Sequence, residues 1–143
     1  MAKALELAGL AAAAGDVPVG CVIADSEGRI IGEGCNRREA RHDATAHAEL
    51  EAIRQACAEK GDWRLDGCTM FVTLEPCPMC AGAIINSRIS TLVFGCREKL
   101  SGSCGSVIDL FSENYGSSPA VFRGIMEEEC SGILKSFFAG LRE

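Results

Sequence analysis

Along this chain the spacing of apolar positions switches between the helical and the strand period, and the switches mark its elements. Residues 4–14, rich in alanine and leucine, read as a helix that stops at Gly15-Asp16. Residues 17–24 are strand-like with apolar side chains on both faces, Asp25-Ser26-Glu27-Gly28 supplies a turn, and residues 29–34 return as the second arm of a hairpin. Residues 36–43 are a polar loop. Asp43 is a natural N-cap for a helix running to about Lys60, with Leu50, Ile53 and Cys57 on its apolar stripe. Asp66-Gly67 makes the next turn, residues 68–74 a third strand, Cys77 to about Ser87 a helix, and residues 91–95 a fourth strand.

Beyond that strand, residues 101–106 form a Gly/Ser-rich loop, residues 107–111 a short helix, residues 113–119 a second loop and residues 121–125 a fifth strand. Residues 127–141 close the pattern as an amphipathic helix with Ile133, Leu134, Phe137 and Phe138 inward. There is no internal repeat, linker or low-complexity segment. The alternation predicts one α/β domain over residues 1–143, a sheet covered by helices.

Composition narrows the reading. A chain of 143 residues can bury a core without covalent staples. No apolar run approaches the roughly 20 residues of a membrane span, and Glu6 interrupts the apolar stretch near the start with no convincing cleavage pattern, so a cytoplasmic location is expected. The nine cysteines are odd in number and lie in apolar, regular segments, which argues against a disulfide scaffold. Cys21, Cys35, Cys57, Cys68, Cys96, Cys104 and Cys130 are expected to be reduced and packed as small hydrophobes. A net charge of −6 argues against a protein whose whole surface binds nucleic acid and leaves room for a local basic patch.

The two remaining cysteines carry chemistry. Cys77 and Cys80, three apart after a strand and at a helix start, share one face of a helical turn whose unpaired N–H groups favour thiolates. His47-Ala48-Glu49 lies upstream, where a helix begins. One imidazole and two thiolates make three ligands for a tetrahedral Zn²⁺ and leave a fourth position for water, the arrangement of a catalytic site. Glu49 then remains free to move protons. A thioredoxin-like dithiol would explain the cysteine pair but not His47 and Glu49. A structural zinc site would need a fourth protein ligand, and the chain has only two histidines and no second C-x-x-C.

H-x-E with P-C-x-x-C is the signature of the zinc nucleobase deaminases. From residue 16 to residue 138 the chain resembles that superfamily and, more closely, the bacterial tRNA adenosine deaminases (TadA type). The resemblance is carried by Val17-Pro18-Val19-Gly20, Gly32-Glu33-Gly34-Cys35-Asn36-Arg37, Arg41-His42-Asp43, Thr45-Ala46-His47-Ala48-Glu49, Val72-Thr73-Leu74-Glu75-Pro76-Cys77 and Met79-Cys80-Ala81-Gly82-Ala83. It implies a three-layer α-β-α cytidine-deaminase-like fold, with a mixed five-stranded sheet and helices on both faces. It also implies one zinc ion per chain on His47, Cys77 and Cys80, with Glu49 as the proton shuttle.

The same resemblance implies that Asn36 hydrogen-bonds the target nucleoside, that Ala48 and Leu74 line the base pocket, and that Val17, Arg97 and Glu98 are further substrate contacts. The implied substrate is the anticodon arm of a tRNA, whose wobble adenosine becomes inosine, and the implied assembly is a homodimer whose partner helps build the groove. Arg37, Arg38, Arg41, Arg97, Lys99, Lys135 and Arg142 are the candidates for phosphate contact. Glu98 stands where the family often has aspartate, and Cys35 where it often has an aromatic residue; family members often carry a longer basic C-terminal extension, whereas this sequence stops at Leu141-Arg142-Glu143. The competing readings are a guanine or cytosine deaminase of the same superfamily and a noncatalytic zinc or dithiol protein.

Overall fold

In the computed structural model, which describes residues 1–141, every strand joins one sheet. The elements are α1 (Ala2–Ala13), β1 (Gly20–Ala24), β2 (Ile30–Cys35), α2 (Arg38–Arg41), α3 (Ala48–Lys60), β3 (Thr69–Leu74), α4 (Pro78–Asn86), β4 (Thr91–Cys96), a 3₁₀ turn (Leu110–Ser112), β5 (Ala120–Phe122) and α5 (Glu127–Leu141). The strand order is β2-β1-β3-β4-β5. The predicted hairpin forms, since β1 runs antiparallel to β2, and β1 is also antiparallel to β3. Parallel strands need a crossover, and α4 supplies the one between β3 and β4. β5 continues the parallel half. The result is a mixed five-stranded sheet.

Two glycines set how closely one helix approaches this sheet. A Cβ on Gly34 would stand 2.8 Å from Glu51 Cβ and 2.9 Å from Ala52 N, and one on Gly32 would stand 2.9 Å from Ala56 Cβ. The α3 backbone therefore rests on β2 itself. Its buried face is made of small side chains, Ala48, Ala52 and Ala56, joined by Glu49. On the opposite face, Gly20 lies against Ala4 and Ala8 of α1, and α1 and α5 share that layer. Ile23, Met70, Val72, Ile84, Leu92 and Phe94 fill the core between the layers.

Several boundaries differ from the sequence reading for identifiable reasons. Residues 17–19 precede β1 instead of starting it; Pro18 has no N–H to give a ladder, and the Val17 and Val19 carbonyls accept from Asn36. The expected polar loop contains α2, whose Glu39 and Ala40 N–H groups donate to the buried Asp16 carboxylate at 2.7 and 3.2 Å. Asp43 does not cap α3. It holds the turn at Thr45, 2.8 Å from its N and 2.7 Å from its Oγ1, and the capping position falls to His47. Of the expected α3 stripe, Ile53 and Cys57 pack against the core only partly buried and Leu50 is half-buried, while the fully buried face is the alanines, because only methyl groups fit above Gly32 and Gly34. The predicted helix at 107–111 is the shorter 3₁₀ turn, and β5 ends at Phe122. In α5, Ile133, Leu134 and Phe137 are half-buried, while Phe138 is 43% exposed and not inward.

Candidate active site

His47 and Cys77 occupy the same structural position in two different helices. Each is the N-cap residue, with extended backbone, of α3 and α4 respectively. Pro78 at the first helical position of α4 suits that start, because its missing N–H would have had no partner there. Cys80 then follows one turn in, fully buried, and Ala81 N closes the first helical bond on Cys77 O at 2.8 Å. α3 and α4 touch where their first turns meet, His47 against Cys77 and Cys80.

His47 Nδ1 lies 3.6 Å from Cys77 Sγ and 3.5 Å from Cys80 Sγ, and the three donor atoms all lie within 4.8 Å of one another. Tetrahedral zinc with Zn–S of about 2.3 Å and Zn–N of about 2.0 Å requires nitrogen and sulfur to be about 3.6 Å apart. The spacing fits the ion without rearrangement. Protein charges alone already favour one thiolate: hydrogen bonds from Cys80 and His47 bring the Cys77 thiol down to about 4. That neighbouring thiolate, with burial, pushes the Cys80 thiol far up. The pair thus shares a proton that a divalent cation would displace. The hydrogen bond with Cys77 raises the imidazole of His47.

Glu49 is 4% exposed and sits two residues into α3. Burial raises its carboxyl above the ordinary glutamate value, against the opposing pull of backbone hydrogen bonding and of His47. A carboxylate so placed holds its proton more firmly than a surface glutamate, as a group that must receive and return a proton requires.

A cavity of about 320 Å³ opens in front of these groups. Its lining includes His47, Glu49 and Cys77, together with Val17, Asn36, Ala48, Leu74 and Glu98 among the sequence-predicted contacts. It lies beyond the C-terminal end of β3, where open α/β sheets characteristically hold ligands. Asn36 is fixed in place: its Nδ2 donates to Val17 O at 3.2 Å and its Oδ1 accepts from Arg38 N at 3.1 Å. One N–H and one lone pair of the amide remain for a ligand.

Arg97 is not in this cavity. It follows β4 and lines a neighbouring depression with Leu134 and Lys135 of α5. Arg142 lies outside the described residues. The sequence reading missed Val19, Glu75, Leu100, Ser101 and Phe138 as wall residues, and Arg38 lines the wall where only a phosphate contact was expected. Phe138 carried a signal, since it was expected on the helix's apolar stripe, but as core and not as cavity wall. Leu100 and Ser101 carried none. Of the seven cysteines outside the site, all are free; Cys57 is half-buried and the other six are buried.

Comparison with known proteins follows this geometry. Residues 1–96 match the sequence model of the cytidine and deoxycytidylate deaminase zinc-binding region. The chain belongs to that family, in its tRNA adenosine deaminase branch. Over its whole length it is 42% identical to the tRNA-specific adenosine deaminase of Bacillus subtilis, covering 89% of that protein. It is 46% identical to part of the tRNA(Ile)-lysidine synthase of Deinococcus deserti, and spans 27% of that longer protein. A solved structure from a study of A-to-I editing by tRNA:A34 deaminases at the wobble position superposes with a TM-score of 0.88 at 40% identity, over 92% of this chain and 95% of that one. The deaminase fold accounts for the sheet order and for the meeting of the two helix starts.

Proposed function

We propose that this protein hydrolytically deaminates the wobble adenosine of a tRNA to inosine, with one zinc ion per chain. The observation that carries the reading is the buried carboxylate of Glu49 beside a His-Cys-Cys cluster at zinc spacing, at the floor of a cavity lined by Asn36, Ala48 and Leu74. His47 Nδ1 and the Cys77 and Cys80 sulfurs would hold the metal. When bound, zinc supplies a water acidified from 15.7 to about 7, so that a nucleophile is available at neutral pH.

The protein's own groups do the rest. Glu49 takes the proton of the attacking water and delivers it to ring N1 of the adenine as C6 is attacked. It then carries the second proton to the exocyclic amine, which leaves as ammonia while C6 keeps the oxygen. Asn36 offers its free amide N–H and lone pair to the nucleoside, and Leu74 and Val17 give the base an apolar surface. Arg38 at the rim, with Arg37 and Arg41 beside it, supplies positive charge for phosphates on an otherwise acidic protein.

Residues 1–143 act as one deaminase domain, two copies forming a homodimer, in the cytoplasm where tRNA is modified; among the described residues no helix is long and apolar enough to cross a membrane. Incubation with a tRNA whose anticodon begins with adenosine, followed by nucleoside analysis, is expected to yield inosine and ammonia in equal amounts. Ammonia from guanine or cytosine with the tRNA untouched would replace this reading with a free-base deaminase.

A further inference from the structure

We propose that Glu75 is a positioning residue for this reaction, its carboxylate holding the segment 98–106 in place as one wall of the substrate cavity. The inference rests on the deaminase reading for its kinetics, but the geometry stands by itself. Glu75 ends the link between β3 and the metal-binding turn, two residues before Cys77, and is 2% exposed. Both carboxylate oxygens are engaged by the following loop. Oε1 accepts from Glu98 N at 3.1 Å and from Ser106 Oγ, and Oε2 accepts from Cys104 N at 3.0 Å and Ser106 N at 3.1 Å.

Four donors on one carboxylate fix both ends of a segment that has no helix or strand of its own. The residues between those ends include Leu100 and Ser101, which line the cavity with Glu98. Leu100 is 90% exposed and has little packing to hold it. Gly102 shows how closely the loop is drawn in, because a Cβ there would stand 2.6 Å from the Glu75 carboxylate carbon. The same peptide is tied to the metal turn, Ser103 N donating to Pro76 O at 2.9 Å. The base pocket and the metal turn are therefore built as one unit; Glu75 borders the same cavity, but its carboxylate oxygens are taken up by the loop, so it acts on substrate by holding that loop.

Glu75→Gln tests this selectively. Its carbonyl oxygen can keep the Cys104 and Ser106 N–H groups, but its NH₂ then faces the Glu98 N–H, donor against donor. The expected result is an unchanged zinc content of one per chain, faster amide exchange across residues 98–106, and KM for an anticodon stem-loop raised about tenfold with kcat held within about twofold. Gly102→Ala, which pushes on the same carboxylate, should shift KM in the same direction. Loss of zinc in Glu75→Gln, unchanged exchange in 98–106, or a fall in kcat at unchanged KM would overturn the proposal. Should wild-type protein leave the stem-loop unmodified, the deaminase reading fails, and the exchange measurement still decides whether Glu75 holds the loop.

Discussion

Glu49 is where one residue's environment decides the chemistry. On an exposed helix face the same side chain would be a solvated carboxylate with no work to do. Here the first turn of α3 buries it beside His47, and burial raises its proton affinity. Replacing it by Gln keeps the volume and a hydrogen-bonding tip but removes the ability to carry a proton. Glu49→Gln is expected to retain one zinc per chain by elemental analysis and to lose about 10² to 10⁴ in single-turnover rate. A variant deaminating at the wild-type rate would remove Glu49 from the mechanism. That His47, Cys77 and Cys80 gather at one place with Glu49 close by was legible from H-x-E and P-C-x-x-C, because ligand chemistry limits which residue types can sit at those spacings. The wall formed by Leu100 and Ser101 was not. Leu100 and Ser101 reach it only because Glu75, a residue with no motif of its own beyond its neighbours, gathers the loop that carries them.

At the scale of elements, the site depends on α3 starting in the right place, and that start is set by the sheet beneath it. The sequence pattern located the helix but misjudged its cap and its inward face. Local propensity favoured Asp43 and the large apolar residues, whereas the close approach to Gly32 and Gly34 admits only alanines. Tertiary packing overrode the local signal in the same way at α2, which Asp16, 1% exposed and remote in sequence, caps through two backbone N–H groups. Two glycine substitutions separate packing from propensity. Gly34→Ala places a methyl against the α3 backbone and is expected to destabilise by about 1–3 kcal/mol in urea unfolding. Gly9→Ala in α1 meets nothing within 4 Å and is expected to stabilise by about 0.5–1 kcal/mol through helix propensity. Equal effects of the two would mean that α3 does not rest on β2 as described.

Over the whole molecule, the layers were readable because strand and helix periods alternate cleanly, but the order of strands in the sheet was not. Pairings such as Cys21 with Val72 and Val72 with Phe94 join distant stretches, and no local pattern specifies them. An ion held by His47, Cys77 and Cys80 would tie the starts of α3 and α4 together, since those donors come from the first turns of the two helices. Zinc should therefore stabilise the fold as well as serve the reaction. Binding to the folded chain alone contributes RT ln(1 + [Zn]/Kd), about 4 kcal/mol at a thousandfold excess over Kd. For a protein of this size each kcal/mol corresponds to roughly 3–4 °C in melting temperature, so a chelator is expected to lower the midpoint by on the order of 10 °C and added zinc to restore it. The secondary structure should survive chelation at 25 °C, because the apolar core lies between sheet and helices and does not include the metal donors other than by contact. A midpoint indifferent to zinc would mean that the cluster does not bind the ion in the folded protein, and a zinc absorption spectrum showing four protein ligands would leave no coordination position for the water that the reaction consumes.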